Sequence, residues 1–275
     1  MIRDIAVHLT GSEEDAVRLA FAGTMARLFD AHLKGLQVNV VPEIISMTDP
    51  SGSAFLQALI AEGTARADAA AARLREQLAQ FGPSTELRRL DVYPGEVGKA
   101  LAAEARTSDL FVGTRPYGDP AGSSSIEETV LFRSGRPCIF LPPKQVSEAK
   151  LETVFVAWKN APEAARALAG ALPLLEKAAA VIIGIVEESG AGEQYGEEPG
   201  TDVGRYLSRH GIRSEIRMIN GWNDTGAALL NESRRAAADL IVMGGYGHSR
   251  FREWALGGAT RHLLEHAEVP VLMAH

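Results

Sequence analysis

Short apolar runs of strand length alternate with longer stretches rich in Ala, Leu, Glu and Arg along the whole chain. Runs near 2–9, 36–41, 85–91, 109–113 and 137–141 predict five strands in the first part. Five more are predicted near 151–158, 180–186, 213–219, 239–243 and 269–273. The stretches 57–80, 161–177, 224–237 and 258–267 read as helices, in which Ala supplies propensity and larger apolar groups supply a packing stripe. Such alternation calls for parallel strands covered by helices on both faces and joined by right-handed crossovers.

The two parts repeat the same punctuation. Ser12-Glu13-Glu14-Asp15 follows the first strand of one and Asn160-Ala161-Pro162-Glu163 the first strand of the other, so Ser12 and Asn160 are expected as helix caps with Asp15 and Glu163 reaching back. Gly95 to Leu101 matches Asn223 to Leu229, Ser108 to Val112 matches Ala238 to Val242, and Gly135 to Leu141 matches Glu268 to Met273. Matching order at nearly matching spacing argues for duplication. The expected domains are 1–146 and 147–275, with a linker around Pro142 to Lys150.

Charge narrows the function classes. There are 28 basic and 35 acidic residues, net charge −7, with no Lys/Arg block, which argues against nucleic acid as a partner. Cys138 is the single cysteine and lies in an apolar run, so it reads as buried filler and the chain as cytoplasmic. The chain opens almost at once on Ile5-Ala6-Val7 without a signal-like region, and no run approaches the roughly twenty apolar residues that span a bilayer. Glu187 to Gly200, with five glutamates and four glycines, reads as a polar loop.

Candidate chemistry concentrates in the last quarter. Met243-Gly244-Gly245-Tyr246-Gly247 closes an apolar run, and Gly257-Gly258-Ala259-Thr260 precedes a helix. Two glycine turns there can present backbone N–H groups and a helix amino end to a phosphate, with His248 and Ser249 adjoining. Tight turns and close helix–sheet packing would call for the same glycines. No G-x-G-x-x-G follows either first strand, and G-x-x-x-x-G-K-[ST] is absent. His262 and His266 share a helix face without a further metal ligand, Ser123 to Ser125 form no nucleophile motif, and Trp158, Trp222 and Trp254 read as packing.

These residues resemble the universal stress protein family in its tandem form. Its Gly-x-x-Gly, nine residues, Gly-Ser/Thr signature reads here as Gly244-Gly245-Tyr246-Gly247, nine residues, then Gly257-Gly258-Ala259-Thr260. The resemblance implies two Rossmann-like α/β units, each a five-stranded parallel sheet of order 3-2-1-4-5. It also implies ATP or another adenine nucleotide, with Mg²⁺ as companion, at the carboxyl edge of the second unit. The implied cofactor-binding residues are Lys159, Ile185, Gly244, Gly245, Gly247, His248, Ser249, Gly257, Gly258, Ala259 and Thr260.

The resemblance further implies an intrachain pseudo-dimer joined through the last strands, and a homodimer or an unidentified protein as partner, without membrane or nucleic acid. The chain departs from the family pattern at Thr10-Gly11-Ser12 and Lys159-Asn160-Ala161, where the carboxylate that usually follows the first strand is missing, and at Gly258. In the first unit Thr114 and Tyr117 stand where the second has Gly244 and Gly247, so that unit is expected to be degenerate. The expected function is a nucleotide-binding stress or signalling sensor, a binding protein rather than an efficient enzyme. The alternatives are a nucleotide-independent scaffold and a slow nucleotide hydrolase.

Overall fold

The computed structural model describes residues 1–42, 50–82, 84–115, 124–143, 149–186, 200–245 and 258–275. In chain order the elements are β1 (Asp4–Leu9), α1 (Glu14–Phe29), β2 (His32–Val40), α2 (Pro50–Ala79), β3 (Thr85–Val92), α3 (Val97–Ala105), β4 (Leu110–Thr114), α4 (Ser124–Ser134) and β5 (Cys138–Leu141). The second part adds β6 (Thr153–Ala157), α5 (Pro162–Leu175), β7 (Ala180–Val186), α6 (Thr201–Arg209), β8 (Glu215–Ile219), α7 (Thr225–Arg235), β9 (Leu240–Gly244), α8 (Gly258–His266) and β10 (Val271–Ala274).

The expectation of two separate parallel sheets is overturned. All ten strands form one mixed sheet of order β3-β2-β1-β4-β5-β10-β9-β6-β7-β8, in which β5 and β10 pair antiparallel. The reason lies at the edge each part would otherwise expose. Cys138, Ile139, Phe140 and Leu141 of β5 and Val271, Leu272, Met273 and Ala274 of β10 are all buried, and such a strand cannot leave its backbone polar groups unpaired. Ile139 faces Leu272 at the centre of the junction. Because this pairing is antiparallel, the carboxyl ends of the first five strands and of the last five lie on opposite rims.

Contacts across the junction follow from that reversal. The Arg115 guanidinium, just past β4, donates to the Leu264 carbonyl in the last turn of α8 (3.3 Å), where a cation complements the helix dipole. Burial lowers its pKa, partly offset by Glu268. Phe132 of α4 meets the His275 ring edge-on with centroids 4.7 Å apart, and Gly245 packs on Leu131. Gly170 of α5 lies against Pro137; a Cβ there would stand 2.4 Å from the proline ring.

The two parts share devices position for position. Asp109 accepts from the backbone N–H groups of Arg3 and Asp4, and Asp239 accepts from those of Glu152 and Thr153, which ties the start of the first strand to the fourth in each part. Arg88 bridges Glu86 and Glu104; Arg217 bridges Glu215 and Glu232. These carboxylates hold both guanidinium pKa values above the ordinary one. Gly98 lets α3 approach Thr129 of α4, and Gly226 lets α7 approach His262 of α8, where an added Cβ would meet side-chain carbon at 2.7 and 2.5 Å.

Two expected caps are not used. Asp15 accepts from the Thr10 and Gly11 backbone N–H groups, but α1 is entered from Glu13 without a side-chain cap and the Ser12 hydroxyl pairs with Thr10. Helix α5 is entered from Ala161, with Pro162 supplying its first-turn backbone, so Asn160 does not cap it. Trp222 is 43% exposed and Trp158 half-buried against the core, whereas Trp254, Glu187 to Pro199 and 144–148 of the linker lie outside the described residues.

Burial pushes the Cys138 thiol up to about 12. An acid whose folded pKa is raised stabilises the fold fully below its unfolded value and loses that contribution as pH climbs toward the folded one. Native protein should therefore resist thiol labelling until unfolded, and stability against urea should fall between about pH 9 and pH 12 more steeply than in Cys138→Ala. At the junction, Ile139→Ala should cost about 2–5 kcal/mol through the cavity it leaves, read as a drop in Tm of the whole chain.

Candidate functional site

Parallel strands end together, and a crevice forms where neighbouring connections leave in opposite directions. In the second half that point lies between β6 and β9, with Val154 facing Leu240 and Ala157 facing Met243. On the other side of β6, Ala157 faces Gly184 of β7, and the Trp158 N–H donates to the Gly184 carbonyl (2.9 Å). Lys159 follows as an exposed side chain on this rim, and Ile185 stands half-buried near the end of β7. The structure thus brings Lys159, Ile185 and Gly244 to the carboxyl ends of three adjacent strands.

Helix α8 runs back between the parallel strands β9 and β10, so its amino end opens on the same rim. Gly258 is exposed there and a Cβ on it would meet nothing within 4 Å among the described residues. The first turn of α8 carries no acidic residue, which leaves the partial positive charge of its amides uncompensated by a carboxylate of its own. Ala259 is half-buried and Thr260 buried at 5% exposure. Helix α7 begins alongside, where the Asp224 carboxylate accepts from the Ala227 N–H (2.8 Å) and stands 3.9 Å from the His262 ring.

The two described glycines of the first turn are occupied by packing. A Cβ on Gly244 would stand 2.6 Å from the backbone nitrogen of Ala164 and 2.7 Å from the carbonyl carbon of Glu163, so its absence seats the start of α5 on the end of β9. The Gly245 N–H donates to the Ala274 carbonyl (2.9 Å), and the Gly245 carbonyl contacts His275 Nδ1 at 3.1 Å. Gly247, His248, Ser249 and Gly257, together with Arg250 and Arg252, lie outside the described residues. His262 and His266 stack at 4.5 Å, and no cluster of three or more metal-ligating side chains occurs among the described residues.

At the corresponding rim of the first half, sequence reasoning missed a buried polar cluster. Arg18 Nε donates to Thr114 Oγ1 (2.7 Å), and Nη1 donates to Asp15 Oδ1 (2.9 Å) and, at 3.3 Å, to the His8 carbonyl and the Thr10 hydroxyl. From the other side of the sheet, Glu127 in the first turn of α4 brings Oε1 to 3.7 Å from His8 Nδ1, which has no hydrogen-bond partner among the described residues. His8, Asp15, Arg18, Thr114 and Glu127 are each at most 7% exposed. The available signal was Asp15 and Arg18, three apart on the apolar face of α1 among Val17, Leu19, Ala22 and Met25.

Comparison with known proteins places this architecture. Residues 150–275 match the universal stress protein family model. A universal stress protein of Synechocystis, Slr1230, is 31% identical over 68 residues, 25% of this chain and 23% of that protein, so the chain spans about a quarter of this curated relative. The crystal structure of a universal stress protein from Archaeoglobus fulgidus shares 18% identity, covers 98% of this chain and 97% of its own at a TM-score of 0.74, and so shares the fold. Another from that organism, in complex with dAMP, covers 50% of this chain and 97% of its own at 17% identity and a TM-score of 0.36. Among the described residues no helix is long and apolar enough to cross a membrane. Residues 150–275, a little under half of the chain, are thus similar in sequence to the universal stress protein family.

Proposed function

We propose that the chain is built of two duplicated units, 1–146 and 147–275, and that the second binds an adenine nucleotide such as ATP at the rim formed by the ends of β6, β7 and β9. The carrying observation is the amino end of α8, which opens beside Gly258 with no acidic residue in its first turn. Helix amides in that setting attract phosphate, and glycine lets the ligand approach without a Cβ in the way. Exposed Lys159 on the same rim supplies positive charge, and half-buried Ile185 an apolar surface for a base. The match of residues 150–275 to the universal stress protein family model supports the reading.

Ala259 and Thr260 would line the phosphate end, with Gly244 and Gly245 shaping the floor rather than donating to it. Gly247, His248, Ser249 and Gly257 belong to the same proposed site through the sequence signature. Mg²⁺ would accompany the triphosphate. The reading is a cytoplasmic nucleotide sensor that acts through a protein partner or a second copy. The packing roles of Gly244 and Gly245 favour one other reading, a scaffold that needs no nucleotide.

Calorimetric titration of the full chain with ATP should show saturable binding, and no heat at millimolar nucleotide would favour the scaffold. Gly258→Glu should weaken binding at least about tenfold while leaving Tm unchanged or slightly higher, because a carboxylate suits a helix amino end and repels a phosphate. Gly244→Ala should behave oppositely. Its methyl collides with the α5 backbone, so it should cost about 1–3 kcal/mol of stability in urea unfolding, with nucleotide affinity falling only as a consequence.

A further inference from the structure

The two rims can be compared residue by residue. Ile5 faces Leu110 as Val154 faces Leu240, which pairs His8 with Ala157 and Thr114 with Gly244. Buried positions along α1 (Asp15, Arg18, Leu19, Ala22, Met25, Ala26) have the same spacing as those along α5 (Ala164, Ala167, Leu168, Ala171, Leu174, Leu175), which pairs Asp15 with Ala164 and Arg18 with Ala167. Gly98 against Thr129 and Gly226 against His262 fix α4 relative to α8, and two residues earlier Glu127 pairs with Thr260. At five matched positions around the crevice the second half has small uncharged residues. The first half has His, Asp, Arg, Thr and Glu.

That exchange is coherent. Arg18 fills the gap between the ends of β1 and β4, anchored to Thr114, His8, Thr10 and Asp15, whereas in the second half Gly244 lets the helix sit directly on the strand. Glu127 sets a carboxylate in the first turn of α4, the place corresponding to the carboxylate-free amino end of α8. A buried carboxylate is poorly screened, so it compensates the α4 amides and repels any second anion brought to them.

We propose that Arg18 and Glu127 are the first half's own occupants of its crevice, and that Glu127 is the specificity-determining residue that confines phosphate-bearing ligands to the second half, one per chain. The proposal rests on the nucleotide reading of the second half for its stoichiometry, but not for the exclusion at α4.

The test is calorimetric titration of the full chain with ATP and, separately, with pyrophosphate, on the wild type and on Glu127→Thr, Glu127→Gln, Thr260→Glu and Gly258→Glu, each checked for folding by circular dichroism. Glu127→Gln keeps the shape of the side chain and Gly258→Glu sits on an open surface, so each backs up a partner whose packing changes more. The expected stoichiometry is one for the wild type, two pyrophosphates for the Glu127 variants, and none for Thr260→Glu or Gly258→Glu.

Two anions on the wild type would overturn the exclusion and leave the second-half site standing. A count that stays at one in both folded Glu127 variants would also overturn it. No ATP on any variant, with pyrophosphate bound by the Glu127 variants and not by the wild type, would remove the nucleotide reading and uphold the exclusion. A single site lost on changing Glu127 but indifferent to both second-half substitutions would remove both.

Discussion

The architecture depends on the antiparallel pairing of β5 with β10. Each run of five strands ends in a short strand whose four residues are all buried, and a buried edge with free backbone donors and acceptors is not a stable state. Pairing the two edges satisfies both at once and makes the molecule one sheet with two remaining edges, β3 and β8. It also sets the functional geography: the strand ends of the two halves open on opposite rims, and groups from one half, such as Arg115, close helix ends of the other.

Within that frame the halves share what holds the fold and differ in what surrounds the crevice. The carboxylates of Asp109 and Asp239 do the same work, as do the Arg88 and Arg217 bridges and the Gly98 and Gly226 helix contacts. These sit along the body of the sheet or its helices, where a change would cost packing in either half alike. The crevice positions tolerate two solutions. One brings helix and strand together over a glycine, and the other fills the space with a charged cluster whose members satisfy one another.

The cluster gives the first half's departures from the second a physical basis different from the one its sequence offered. Thr114 was read as a lost glycine; in the fold it is an acceptor for Arg18. A helix such as α1, with a charged pair on its buried face, would be unfavourable were those charges not matched by groups on β1 and β4. That match joins residues about a hundred positions apart, which no local pattern can express.

Much was legible in the chain itself. Strand-length apolar runs alternating with helical stretches fixed the parallel α/β character, because burial on both faces demands it, and repeated punctuation such as Asp109-Leu110 and Asp239-Leu240 marked two matching halves. The glycine at 258 was visible beside a helix start for the same local reason. The family resemblance implied a join through the last strands, but only the tertiary structure made it one continuous sheet, since the partner of a buried edge strand lies on the other half of the chain. It alone separated Gly244 and Gly245, used in packing and in the sheet, from Gly258, which is open, and it alone gathered His8, Asp15, Arg18, Thr114 and Glu127. Local sequence records a residue's conformational needs and its polarity, while what meets it across the sheet is set by folding.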